Sequence, residues 1–146
     1  MADTECSVTV MPIIGKRIGF LRRDLDDSYE DLLIAPGGTI ETQDGEFIDG
    51  VLYHSVELGA IREMWEKTGI KISKDKLNYF CSLTTDSDRV VISLFCEVNS
   101  TQIARSYGYL EFLTRDEIVG RDDFAPGMKE EAIMLLQHLQ RKGLLT

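Results

Sequence analysis

The chemistry in this sequence is concentrated at Arg62, Glu63, Glu66 and Lys67. Glu63 and Glu66 are three residues apart, so a helix puts them on one face, and Lys67, four from Glu63, shares it. Like charges at this spacing destabilise an isolated helix by about 0.2–0.5 kcal/mol. Something must offset that cost, and two converging carboxylates suit a hard divalent cation. Arg62 is adjacent and can fix one carboxylate by a bidentate hydrogen bond. The competing structural reading is an ordinary solvated helix face with scattered charges.

The helix that must position these side chains is predicted from about Ser55 to Thr68, with Val56, Ala60, Ile61, Met64 and Trp65 at helical spacings and Gly69 as its stop. Before it, Ser7–Ile14 and Arg17–Arg22 read as strands joined by Gly15–Lys16, and Asp24–Asp31 reads as an acidic loop. The apolar run 32–35 is stopped by Pro36-Gly37-Gly38, and Thr39–Glu41 resumes as a strand. Thr42 to about Tyr53 reads as irregular, with Gly45 and Gly50 as breakers. After the helix, Leu77–Thr84 and Arg89–Val98 read as strands around an Asp86-Ser87-Asp88 turn, and Tyr109–Leu113 as a last strand. Thr114 caps a short helix, Arg115–Val119. A final helix opens at Ala125-Pro126-Gly127 and runs to Lys142, with Ala132, Ile133, Leu135, Leu136 and Leu139 as its buried stripe. The order strands, helix, strands, helix gives one α/β domain of α+β type over residues 1–146, a mixed β-sheet between helices.

The segment Arg62-Glu63-Met64-Trp65-Glu66-Lys67-Thr68-Gly69-Ile70 resembles the signature helix of the Nudix hydrolases, G-x5-E-x7-R-E-U-x-E-E-x-G-U, where U is a bulky aliphatic residue. Arg62, Glu63, Met64, Glu66, Gly69 and Ile70 match in order and spacing. Upstream, Ala35–Glu41 is similar to the family's strand, glycine turn and following strand, with Gly38 as the opening glycine. Downstream, Glu111–Ile118 and Phe124–Met128 are similar to the stretch that leads into its last helix.

Two departures stand out. Gly38 lies 24 residues before Arg62, where the pattern has 14. The pattern's first glutamate falls on Asp44 counting from Gly38 and on His54 counting back from Arg62, while Glu46 and Glu57 are acidic neighbours, so its position stays open. Second, the paired Glu-Glu is Glu66-Lys67 here. A Lys in place of a carboxylate removes a negative ligand and adds a positive charge. Either Glu111 or a loop acid makes up the site, or Lys67 holds a ligand phosphate directly.

The resemblance implies hydrolysis of a nucleoside diphosphate linked to another moiety, a small-molecule substrate, with Mg²⁺ or Mn²⁺. It implies Glu63, Glu66 and Arg62 as the catalytic set, with Glu63 the preferred base and Arg62 an orienting group. Glu63, Glu66 and Glu111 would hold metal. Gly38, as the tight turn, and Lys67 would serve the substrate. The rival reading is a catalytically impaired Nudix-like module that binds a nucleotide or other ligand. An isomerase acting on a diphosphate is a third, with no residue in its favour. Trp65 is expected to pack against the sheet, His54 to be a loop histidine without a catalytic role, and His138 to be exposed. Phe47 and Tyr53 either cover a substrate or fold back on the domain or a partner, and a homodimer stays open.

Composition sets the outer bounds. Lys plus Arg total 16 and Asp plus Glu 25, a net charge of −9, which opposes binding to a nucleic-acid polymer or an anionic membrane. Seven acids and one base lie between Glu41 and Glu66, so −6 of that charge falls in 26 residues. A patch of this kind attracts divalent cations. The three cysteines have no C-x-x-C spacing; Cys81 and Cys96 read as buried thiols, and no zinc site follows. No serine has a recognisable His/Asp arrangement. The N-terminus lacks the marks of a signal peptide and no apolar run reaches membrane-spanning length, so the expected location is cytoplasmic.

Overall fold

The computed structural model describes residues 6–22, 31–85 and 88–143. The predicted Asp24–Asp31 loop and the Asp86-Ser87-Asp88 turn fall largely outside them. The chain forms two compact units, Met1–Val10 with Pro36–Cys96, and Met11–Ala35 with Glu97–Thr146. Strand β1 (Cys6–Ile14) contributes to both.

In the first unit, β1 pairs antiparallel with β4 (Gly37–Thr39), Val8 opposite Gly38. A 3₁₀ turn, Thr42–Asp44, then leads into a hairpin of β5 (Gly45–Ile48) and β6 (Val51–His54). This hairpin corrects the expectation of an irregular 42–53. Its turn is Asp49-Gly50, both at positive φ (51° and 81°), the Asp-Gly pair that a two-residue hairpin loop favours. The acids of this stretch mask its apolar residues, Phe47, Ile48, Val51 and Tyr53, which are exposed.

Helix α1 (Val56–Thr68) follows at once. The Ser55 hydroxyl accepts from the Leu58 N–H, and Gly69 closes the helix at φ 75° with its N–H donated to the Trp65 carbonyl. The Thr68 hydroxyl donates to the Met64 carbonyl at 2.6 Å and accepts from the Ile70 N–H. The buried face of α1 is Gly59, Ala60, Glu63, Met64 and Thr68. Trp65, expected in the core, is instead half exposed: one position past Met64, it points about 100° round the helix from the buried face. Strands β7 (Asn78–Thr84) and β8 (Val90–Glu97) form an antiparallel hairpin with a bulge between Tyr79 and Cys81. Val8, Val10, Ala60, Met64, Ile70, Leu94 and Cys96 are core residues of this unit. Burial pushes the Cys96 thiol up to about 12. Cys81, expected to be buried, is only half-buried.

In the second unit, β2 (Arg17–Arg22) pairs antiparallel with the end of β1, with β3 (Leu33–Ile34) and with β9 (Glu111–Thr114). Leu33 and Phe124 form a parallel bridge, so the pairing is mixed. Phe20 meets Phe124 edge to face at 5.1 Å. Helix α2 (Ser100–Ala104) was not expected; its signal is the capping box between Asn99 and Gln102. Helix α3 (Arg115–Val119) starts at Thr114 as predicted, with a Thr114–Glu117 capping box. Helix α4 (Met128–Arg141) starts after Gly127 at φ 81° and buries Met128, Ala132, Leu135, Leu136 and Leu139. Ile133 and His138 are half-buried, where the stripe predicted a buried Ile133 and an exposed His138. Among the described residues no helix is long and apolar enough to cross a membrane. The result is the mixed α+β architecture that the pattern predicted.

Candidate active site

The site is built around one guanidinium. Arg62, on the first unit's helix α1, donates from Nε to Asp44 Oδ1 at 2.8 Å and from Nη2 to Asp44 Oδ2 at 2.9 Å. Its Nη1 donates to Glu63 Oε1 at 3.0 Å and to Glu66 Oε2 at 3.2 Å, and lies 3.4 Å from Glu41 Oε2. Nη2 also reaches the Thr39 carbonyl at 3.2 Å. One planar cation thus holds four carboxylates, which its fork of donors is shaped to do.

The bidentate partner is Asp44, not Glu63 or Glu66. Asp44 is 2% exposed, and its Oδ2 also accepts the Glu41 N–H at 2.8 Å. The Arg62 hydrogen bonds hold its carboxyl below the usual carboxylate range, against the opposing effect of burial. Arg62 is in turn raised, chiefly by the Asp44 hydrogen bonds. Glycine at position 59 lets the Ile40 side chain pack against α1: a Cβ there would come 2.5 Å from Ile40 Cδ1.

This geometry settles which acid faces Arg62. Glu57 bonds the Ser55 hydroxyl at the helix start, and Glu46 stands on β5 opposite Tyr53. Asp44, six residues after Gly38, is the residue that meets Arg62. The surplus of ten residues is the hairpin Gly45–His54. Its base is closed by the Ser55 N–H, which donates to the Asp44 carbonyl at 2.9 Å. With the hairpin set aside, seven residues separate Asp44 from Arg62, as in the Nudix pattern. The inserted hairpin leaves the Asp44–Arg62 pairing in place.

Glu63 is buried, with a side chain 7% exposed. Gly38 makes room for it: a Cβ on Gly38 would lie 2.7 Å from the Glu63 carboxyl carbon. Gly38 therefore serves close approach within a strand, and not the tight turn expected of it; its φ is not positive. Glu63 Oε2 is buried without a hydrogen-bond partner, and groups of that kind are normally satisfied. Lys67 Nζ lies 3.7 Å from it and donates to the Gly37 carbonyl at 2.7 Å. Glu66 is half exposed.

A buried carboxylate oxygen without a hydrogen bond, in a glycine-shaped cradle, fits a hard divalent cation. The donor set is small: among the described residues no group of three or more His, Cys, Asp or Glu is arranged to hold a metal ion. Glu111 belongs to the second unit, on β9, where Arg22 Nη2 and Arg121 Nη1 each lie 3.7 Å from its Oε2. Those guanidiniums are also held by Asp123, whose carboxyl the Arg121 hydrogen bonds lower most strongly. His54 is exposed on β6. The sequence reading left Asp44 among several acids and missed the Gly37 carbonyl as an acceptor. The first was legible as the sixth residue after Gly38; the second has no side-chain signal.

No protein-family sequence profile and no curated protein sequence matches the chain. Solved structures do. A Nudix hydrolase from Nitrosomonas europaea is 12% identical, with a TM-score of 0.70 over 100% of this chain and 77% of that one. A hydrolase of the Nudix family from Clostridium perfringens is 12% identical, with a TM-score of 0.64 over 94% of this chain and 99% of that one. A structure from a study of MutT from Aliivibrio salmonicida and Vibrio cholerae is 16% identical, with a TM-score of 0.64 over 92% and 97%. Neighbours of this number and coverage, together with the Gly38–Asp44–Arg62–Glu63 arrangement, show that the chain has the Nudix hydrolase fold.

Proposed function

We propose that the protein is a pyrophosphohydrolase that cleaves a nucleoside diphosphate linked to another moiety, by attack of water on a phosphate. The observation that carries this reading is Glu63: a buried carboxylate, fixed through Oε1 by Arg62, with Oε2 lacking a hydrogen bond and 3.7 Å from the Lys67 ammonium. Glu63 and Glu66 would hold Mg²⁺ or Mn²⁺, which when bound neutralises diphosphate charge and makes a bound water more acidic.

The protein's part is positioning, which is most of what phosphoryl chemistry asks. Arg62 spaces the Glu63 and Glu66 carboxylates by donating to both. Asp44 anchors Arg62 from behind, so Arg62 is a positioning residue. Glu63 is the preferred residue to take a proton from attacking water. Gly38 admits the Glu63 carboxylate, and Lys67 adds a positive charge beside it that a diphosphate oxygen can meet.

The test is product release from a panel of nucleoside triphosphates, sugar nucleotides and dinucleotides, with Mg²⁺ and with Mn²⁺. Turnover of at least one member that Glu63→Gln abolishes supports the reading. No turnover across the panel, or turnover unchanged in Glu63→Gln, overturns it.

A further inference from the structure

Lys67 stands where the Nudix pattern has its second paired glutamate, and its ammonium is placed by two oxygens. Nζ donates to the Gly37 carbonyl at 2.7 Å and lies 3.7 Å from Glu63 Oε2. That second oxygen is buried and lacks a hydrogen bond. A main-chain carbonyl and a carboxylate oxygen therefore converge on one cation. These are the donor types that bind a hard divalent ion, and here they face a charge carried on the protein's own side chain. Lys67 is half exposed and reaches the oxygens from the solvent side on a flexible four-carbon stem. The ammonium can therefore leave without disturbing α1, whereas Arg62, 12% exposed and bonded to three carboxylates, is locked in place.

We propose that Lys67 is a tethered competitor for a divalent cation. Its ammonium and the metal exclude each other at Gly37 O and Glu63 Oε2, so occupancy of that position requires Lys67 to swing out. The site then needs a higher concentration of metal to fill than one without this lysine, and the displaced ammonium is left beside the bound ion. The inference rests on Glu63 as a metal ligand, and its test separates the two ideas by reading binding instead of turnover.

Mn²⁺ is titrated into the full chain and free Mn²⁺ is followed by electron paramagnetic resonance, for wild type, Lys67→Met, Lys67→Gln and Lys67→Met combined with Glu63→Gln. Circular dichroism checks that each variant is folded. Both single substitutions at position 67 are expected to tighten Mn²⁺ binding at least tenfold, and Glu63→Gln is expected to reverse the gain. Equal affinity in wild type and both position-67 variants, with Glu63→Gln weakening binding, overturns the competition and leaves the metal-ligand reading standing. Absence of Mn²⁺ binding in every protein overturns both.

Discussion

Removing the Asp44 carboxylate is the sharpest probe of how the site is held together. Asp44→Ala deletes two charge-assisted hydrogen bonds to Arg62, at 2.8 and 2.9 Å, and leaves the Glu41 N–H without its acceptor. Breaking a buried ion pair from one side costs about 3–5 kcal/mol when the remaining charge is stranded. Arg62 is not stranded: Glu63, Glu66 and Glu41 remain at 3.0, 3.2 and 3.4 Å. Those contacts offset part of the loss, so the expected cost is about 3 kcal/mol, at the low end of that range. For a chain of this length that corresponds to a melting temperature lower by roughly 6–12 °C. The pH dependence follows from the lowered Asp44 carboxyl. A carboxyl depressed by folding stabilises fully above its unfolded value, about pH 4, and loses that contribution as pH falls through the folded value. The stability gap between wild type and Asp44→Ala, from urea melts at pH 7, 4 and 2.5, should therefore narrow as pH falls. A difference under about 0.5 kcal/mol at pH 7, the size of a surface substitution, would refute the buried-anchor argument.

Four further outcomes follow. Glu63→Gln should keep the fold and lower turnover by about 10²–10⁴, the range for loss of a positioned acid–base group, read in a single-turnover assay. Gly38→Ala should destabilise by about 1–3 kcal/mol, because its methyl group enters the space of the Glu63 carboxylate; thermal melts check this, and an unchanged melting temperature counts against the cradle. Ser55→Ala should cost about 1 kcal/mol through the lost cap on α1, measured by chemical denaturation. Replacing Glu46–Tyr53 with Asn-Gly should shift stability by less than about 1 kcal/mol, since Gly45 and His54 remain paired; differential scanning calorimetry and an unchanged Asp44→Ala penalty in this background check it.

What could be read without coordinates was whatever local chemistry dictates. The α1 boundaries follow from Ser55 and Gly69, and α3 from Thr114 and Glu117, because caps are short-range. Trp65 was misplaced because a helical stripe fixes a direction only to within one position, and the buried face took the polar Glu63 and Thr68 in its stead. A carboxylate was not expected in that face because burying one is costly unless it is paired, and the pairing depends on Arg62. The Gly45–His54 hairpin was hidden by charge: Glu46 and Asp49 made a sheet element look like an acidic loop. Gly38 reads as a turn in the sequence but instead makes room for the Glu63 carboxylate, since close approach of a side chain from another element leaves no local trace. Lys67 was seen as the anomaly of the helix, but its partner, the Gly37 carbonyl, is main chain and has no sequence signature.

The bond from Ser55 N–H to the Asp44 carbonyl makes the hairpin a graft on a closed ring. Because the two ends of the inserted segment already meet, lengthening it adds only the slow logarithmic cost of a longer loop, and none of that cost is drawn from the Arg62 cluster. The segment between Asp44 and Ser55 is thus a socket. A reporter peptide or a small folded module spliced at Asp49-Gly50 would be carried next to the carboxylates while the spacing that matters to them stays fixed. The linear gap between Gly38 and Arg62 can drift freely through such splicing, whereas the through-space gap between Asp44 and Arg62 cannot.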